Sequence, residues 1–401
     1  MAPRHFKAIV YLLEALNGLG TTWYFFYLYF FTEARFGFGK LQNFLLAAAI
    51  GLLYAIASMW GGRFAQRHGS LNALKLGCAG MAASLAVGSE FTTLSSHLVV
   101  MATCTASMAL TWPALQALVS EGEARGRLQR SLGIYNLIWS GCGAVAYLTG
   151  GAMIEAWGLR SLFIVPGAIH LAQLALAMFV ASRFQPSALS AAKGSPGSTE
   201  APPVTTSVSP RTFLRMAWLA NPFAYLAINT VVSVSPSLAR ALDLTPRYAG
   251  YYCSIWMFTR TASFLLFWLW PGWHYRFRWL VNAYIGMVLA FLVILLAPNI
   301  PTLILAQLGF GVCLGLIYYS SLFYSMDVGE TKGEHGGIHE AAIGAGSCAG
   351  PAVGALALQL APGQPYASAV GVGLLLLGGL GGLIWLRRKP PQPPARPEVT
   401  T

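Results

Sequence analysis

Apolar stretches of membrane-crossing length recur about twelve times along this chain, and nothing else in the sequence constrains the fold as strongly. A helix rising about 1.5 Å per residue needs roughly 20 apolar residues to cross a hydrocarbon core about 30 Å thick. Such stretches fall at 6–31, 42–62, 72–91, 96–119, 131–154 and 161–183, then at 213–239, 250–270, 279–297, 301–325, 339–360 and 367–386. Barrel strands would be about half as long, and lipid offers no partner to an unpaired backbone group, so helices are expected throughout. The charge content agrees. Only 9% of residues are charged and 56% are hydrophobic, whereas a soluble domain is charged at about one residue in four. So few charges cannot cover a water-facing surface.

The two sets of six stretches are separated by QPSALSAAKGSPGSTEAPPVTTSVSP, a run that cannot bury a core and reads as a flexible linker. The expected organisation is therefore a six-helix bundle over 1–184, a linker over 185–212, a second six-helix bundle over 213–387 and a Pro-rich tail over 388–401. The fold class is all-α membrane protein, with about twelve transmembrane helices in two pseudo-symmetric bundles. The halves echo one another: Arg67, after the second stretch, matches Arg276, after the eighth, and Gly150 matches Gly354. Internal duplication of this kind places a solute site near the bilayer midplane, where the repeats meet.

The net charge of +12 would suggest nucleic-acid binding in a soluble protein. Here its distribution points elsewhere. Alternating the spans from a cytoplasmic N-terminus puts nineteen of the 25 Lys and Arg on the cytoplasmic side and five on the other, with Arg260 inside a span. The positive-inside rule then places both termini in the cytoplasm, and nucleic acid is not an expected partner. The six cysteines (Cys78, Cys104, Cys142, Cys253, Cys313 and Cys348) lie in apolar stretches without a CxxC pair, so neither a disulfide framework nor a metal knuckle is expected. The first apolar stretch is too long for a cleaved signal peptide and contains Glu14.

Ionisable groups at membrane depth are costly and are functional candidates by default. Glu14 lies eight residues into the first stretch, with Asn17, Thr21 and Tyr24 continuing its face at helical spacing. A carboxyl group there could bind and release a proton or counter a cationic solute; equally, it could pair with Arg260. Arg260 sits mid-span with Trp256 one turn away, as either an anchor for an anionic solute or one end of a buried bridge to Glu14. His170 reads as an interhelical hydrogen bond. His335 and His339 have ligand-like spacing but are separated by two glycines in a loop, so no metal site is expected. Neither a nucleophile–base pair nor a phosphate-cradling glycine loop is present, so an enzyme, a bound cofactor and ATP-driven transport are not expected.

The turn GGRFAQRHGSLNAL, with the six-plus-six layout and central linker, resembles the signature of the major facilitator superfamily. Gly62, Phe64, Ala65, Gln66, Arg67 and Gly69 carry the likeness. Gln66 stands where the family has an acid, and Ser70 and Leu71 where it has a basic pair. The fourth-helix Arg often linked to proton coupling is missing. The fifth-helix glycine motif, GCGAVAYLTGG, lacks its proline, and GAGSCAGPAVGA in the eleventh is the better version. The resemblance implies a secondary transporter of a small organic solute working by alternating access, with proton-coupled efflux as one version. Uptake or exchange of an anionic metabolite held by Arg260 is another, and a non-transporting sensor or scaffold is a third.

The family architecture also implies a monomer in contact with lipid in the inner (plasma) membrane; protons as a coupling ion do not carry over from its motifs and belong to the version that works through Glu14. It implies a cavity lined chiefly by the first, fourth, seventh and tenth helices. Candidate contacts there are Glu14, Asn17, Thr21, Tyr24, Ser107, Tyr135, Asn136, Trp139, Asn229, Trp256, Arg260, Tyr318 and Ser321. Gating is expected from Gly62, Arg63, Arg67, Gly69, Arg276 and Glu340, with the Glu340 carboxylate moved across the interface to face Arg67 or Arg63.

Overall fold

The computed structural model describes residues 3–121, 125–183, 209–328 and 334–388. Most of the expected linker, the tail beyond 388 and Lys332 lie outside them, as do the side chains of Arg125, Arg127, Glu334 and His335. The first half comprises α1 (Pro3–Phe36), α2 (Lys40–His68), α3 (Ser70–Gly88), α4 (Leu94–Ser120), α5 (Arg125–Trp157) and α6 (Ser161–Arg183). The second comprises α7 (Pro210–Ala241), a broken eighth span made of α8a (Pro246–Cys253) and α8b (Ile255–Leu269), then α9 (Phe277–Leu295), α10 (Ile300–Val328), α11 (Glu334–Leu360) and α12 (Ala367–Arg388). The described residues contain no strand.

Ten of these helices are long and apolar enough to cross a membrane by length and composition. The other two spans are α1 and the broken α8, which carry the buried charges Glu14 and Arg260. The eighth stretch was expected to be continuous over 250–270. Instead the helix starts at Pro246, stops at Cys253 and resumes at Ile255. The outer helices turn apolar side chains outward: Leu76 and Val87 on α3, Leu171 and Met178 on α6, Leu289 on α9, Leu374 and Leu377 on α12. On an integral membrane protein this surface faces lipid. Trp60, Trp157 and Trp385 are exposed toward helix ends, where interfacial tryptophans collect.

Small residues decide where the halves meet. Lipid gives helices little hydrophobic reason to associate, so close backbone approach carries the packing. Along α11, Gly344 and Cys348 lie against the backbone of Ala55 and Gly51 on α2, and Gly354 lies against the Phe44 ring, while Gly346 packs within the second half against the Pro222 carbonyl of α7. The equivalent pair in the repeat is α5 with α8. There Gly151 sits on the Pro246 carbonyl, Gly143 on Met257, and Gly250 on the Leu148 and Tyr147 carbonyls. The glycines of the fifth and eleventh helices therefore serve the same purpose in each half.

One end of the bundle carries the α2–α3 turn and the junction leading from α6 toward α7; it is called the linker side here. At the opposite, distal end, charged pairs join the halves: Arg240 to Glu33 at 3.1 Å and Arg247 to Glu155 at 3.2 Å. The Arg247 backbone N–H also donates to Glu155 at 2.8 Å, at the start of α8a. Below them the Tyr147 and Ser235 hydroxyls pair at 2.9 Å, and the Tyr27 hydroxyl donates to the Tyr147 carbonyl. On the linker side, Lys7 donates to the carbonyls of Leu118, Val119 and Glu121, capping the end of α4. Gly69 has φ +89°, which an L side chain rarely adopts, and so can make the turn from α2 into α3.

Close approach at Gly151 leaves no room for a side chain. Gly151→Val is expected to destabilise the protein by about 2–3 kcal/mol or more through overpacking. Gly378, where an added Cβ meets nothing within 4 Å, provides the control: Gly378→Ala should leave the melting temperature in detergent unchanged.

Candidate functional site

The break in α8 is where the site begins. Interrupting a helix frees backbone groups that lipid cannot satisfy. Gln307 of α10 supplies both partners: its Nε2 donates to the Tyr252 carbonyl at 2.7 Å, and its Oε1 accepts from the Trp256 N–H at 3.3 Å. Gly311, one turn further along α10, lets that helix approach the backbone of Trp256 and Arg260 closely. Trp256 is thus fixed at the first turn of α8b, and Arg260 follows one turn later on the same face.

Arg260 is 3% exposed. Its guanidinium lies 4.9 Å from the Trp256 ring and 4.6 Å from the Trp139 ring of α5. One tryptophan comes from each half, so the cation is clamped across the interface. Such contacts contribute about 0.5–2 kcal/mol each. The Trp139 indole is itself held, since its Nε1 donates to Asn136 Oδ1 at 3.0 Å. Among the described residues no carboxylate lies within ion-pair distance of Arg260, and its Nε has no hydrogen-bond partner. The expected alternative of a Glu14–Arg260 bridge is therefore corrected: two aromatic faces, rather than a carboxylate, surround the cation.

Arg260 lines a cavity of about 180 Å³ between the halves. Its walls are largely aromatic, with Phe25, Phe26, Trp112, Tyr225 and Tyr318 alongside Trp139 and Trp256. Of the residues singled out from sequence, Thr21, Tyr135, Trp139, Asn229, Trp256, Arg260, Tyr318 and Glu340 reach this lining. The others lie outside it for identifiable reasons. Asn17 is fully buried against α6, accepting from Gln173 Nε2 at 3.4 Å. Tyr24 packs edge-on to Phe163. Ser107 covers Gly80 of α3. Asn136 orients Trp139, and Ser321 is buried with its hydroxyl unpaired.

Glu14 is also behind the lining. It is fully buried, and neither carboxyl oxygen has a hydrogen-bond partner. The Tyr135 hydroxyl neighbours it, and Tyr135, unlike Glu14, lines the cavity. His170 makes its contact within its own helix, through Nδ1 to Gln173 Oε1 at 3.0 Å, rather than between helices. Gln173 makes the link to α1, donating to the Leu13 carbonyl at 3.1 Å. His339 sits edge-on to Tyr318.

Glu340 requires a correction. It was expected to face Arg67 or Arg63, but both arginines are exposed on the last turns of α2. The Glu340 side chain turns into the cavity wall. Its Oε2 accepts from the Tyr54 hydroxyl at 2.7 Å and its Oε1 from Gln116 Nε2 at 2.6 Å. These bonds join α11 to α2 and α4 across the interface. Tyr54 and Gln116 were not anticipated. Tyr54 could have been noticed from its place one turn from Gly51 and Ser58, a small-residue face suited to a facing helix. Gln116, a single amide in an apolar run, offered no such signal. Gly62, Gly69 and Arg276 stay at the linker-side turns, with Arg276 exposed just before α9.

A cross-bundle cavity within a six-plus-six helical membrane protein defines a transporter class. By sequence the chain belongs to the Major Facilitator Superfamily, whose profile matches residues 10–328. It is therefore a membrane transporter of a small solute, from a family that is generally non-enzymatic. In structure it is similar to the human organic anion transporter MFSD10 (TETRAN), with a TM-score of 0.69 at 16% identity, over 97% of this chain and 100% of that one. No curated protein matches the chain in sequence.

Replacing Gln307 with Leu would strand the Trp256 N–H and the Tyr252 carbonyl in an apolar setting, costing about 1–3 kcal/mol for each group. Gln307→Leu should lower the melting temperature. It should also speed amide exchange at Trp256 while leaving exchange in α3 and α6 unchanged.

Proposed function

We propose that this protein is a secondary transporter for a small organic anion with an aromatic or apolar body, working by alternating access. The observation that carries this reading is Arg260: a permanent cation, buried between two tryptophans and facing a cavity, without a carboxylate partner among the described residues. An arginine does not shed its proton in proteins, so an anion from outside is the missing complement. The aromatic walls suit an apolar body. MFSD10, similar in fold, is an organic anion transporter, which is consistent with this reading.

Coupling to protons is assigned to Glu14. Neither of its oxygens accepts a hydrogen bond and no cation lies against it among the described residues, so burial favours the protonated carboxyl, which carries no charge. Tyr135 neighbours it and lines the cavity, a route by which occupancy of the site can be felt. We place the linker side and both termini in the cytoplasm, at the inner membrane, on the charge count. The paired charges at the distal end then make this form closed to the outside. On this reading the turns bearing Gly62, Arg63, Arg67 and Gly69, with Arg276 opposite, gate the cytoplasmic side of a monomer.

The test is flux of a small aryl carboxylate into proteoliposomes with and without a pH gradient. Arg260→Gln should raise the half-saturating concentration about tenfold or more, the equivalent of losing a charge-assisted contact. Arg260→Lys should recover only part, because an ammonium has no plane to stack between the tryptophans. In Glu14→Gln the gradient should no longer change the rate. Wild-type transport indifferent to any pH gradient would remove the proton from the scheme, and indifference to Arg260→Gln would remove the anion.

A further inference from the structure

The cavity holds a second charged side chain that the anion reading does not use. Glu340 is 5% exposed and lines the same cavity as Arg260, yet the two do not pair. Tyr225 and Tyr318, with ring centroids 6.4 Å apart, line the same cavity and supply an aromatic wall beside the two groups. Both Glu340 oxygens accept hydrogen bonds, one from Tyr54 and one from Gln116. A carboxyl whose two oxygens both accept has the bonding pattern of the ionised form.

The neighbours of Glu340 face the cavity with acceptors as well. Asn229 commits its Nδ2 to the Tyr225 carbonyl at 3.0 Å and to Ser347 Oγ at 2.8 Å, which leaves its Oδ1. Ser347 in turn donates to the Ile343 carbonyl at 2.8 Å. Gln116 directs its Nε2 at Glu340, which leaves its Oε1. One wall of the cavity thus presents donors on a cation, and another presents acceptors around an anion.

From this polarity we infer that the preferred substrate is bipolar: a carboxylate at Arg260, an aromatic or apolar middle against Tyr225 and Tyr318, and an ammonium group at Glu340, Asn229 and Gln116. The inference rests on the reading of Arg260 as the anion anchor and adds the second anchor. A ligand of this shape neutralises both buried charges at once, whereas a simple carboxylate leaves the Glu340 charge without a cation. A buried charge without its counter-charge is costly, and a site built to bond a donor rejects analogues that lack it.

Three compounds on one skeleton test it: 4-(2-aminoethyl)benzoate, which carries both charges at opposite ends of a ring; 4-ethylbenzoate, which lacks the amine; and 2-(4-methylphenyl)ethylamine, which lacks the carboxylate. Binding to the purified full chain in detergent is followed by tryptophan fluorescence, since Trp139 and Trp256 flank the anchor. The bipolar compound should bind at least about tenfold more tightly than either monopolar one. In Glu340→Gln the ratio between the bipolar compound and 4-ethylbenzoate should fall toward one, and in Glu340→Asp it should stay well above one. Equal affinity of wild type for the bipolar compound and 4-ethylbenzoate overturns the inference and leaves Arg260 as the sole anchor. Preference for the amine alone over both carboxylates overturns the reading of Arg260 as well. The wild-type comparison needs no variant to fold.

Discussion

Hydrocarbon accepts and donates no hydrogen bonds, and this one property of the solvent dictates most of what the chain does. It closes the backbone into helices from end to end. It removes most of the hydrophobic incentive for helices to associate, so the two bundles adhere where Gly51, Gly151 and Gly344 let backbones touch. It also makes each interior polar group an obligation. Gln307 answers the two groups freed at the α8 break, and Tyr54 and Gln116 answer Glu340. Arg260 is the case answered only by aromatic faces, which is why the cavity around it reads as a place for something else to bind.

What could be read from the sequence follows the same physics. Span length and the asymmetry of Lys and Arg are averages over many residues, so the six-plus-six layout and the membrane setting were legible. Glu14 and Arg260 were legible as buried charges because each stands in an apolar run. Their partners were not, because contact between α1 and α8b, or between α11 and α2, depends on rotations about helix axes that periodicity does not fix. That is how Glu340 was matched with Arg67, one turn of sequence logic away, when its side chain points to Tyr54. It is also why Asn17 and Ser107 sit on polar faces that turn to α6 and α3: hydroxyls and amides hold membrane helices together as readily as they line cavities.

The break in the eighth span was illegible for a related reason. Its breaking residue, Ser254, is unremarkable in a helix, and its cause lies on another helix, in the amide of Gln307. Sequence windows register composition within a segment, and this feature exists only between segments. Of the two spans that do not qualify by length and composition, α1 carries Glu14 and α8 is cut short by its break, while Glu340 lies on α11, which does qualify.

The α8 break has a mechanical consequence. α8a is tied at the distal end to α5 through Glu155 and Arg247, while α8b carries the cation that faces the cavity. Between them lies a spliced joint, with the amide of a neighbouring helix bridging the two cut ends. A continuous helix behaves as a rod and transmits displacement along its length. A spliced one can bend at the splice while its backbone polarity stays covered. Movement at the distal charged pairs can then be taken up as a change of angle at Ser254, and delivered to Arg260 as a rotation about the Gln307 amide rather than as a shift of the whole helix.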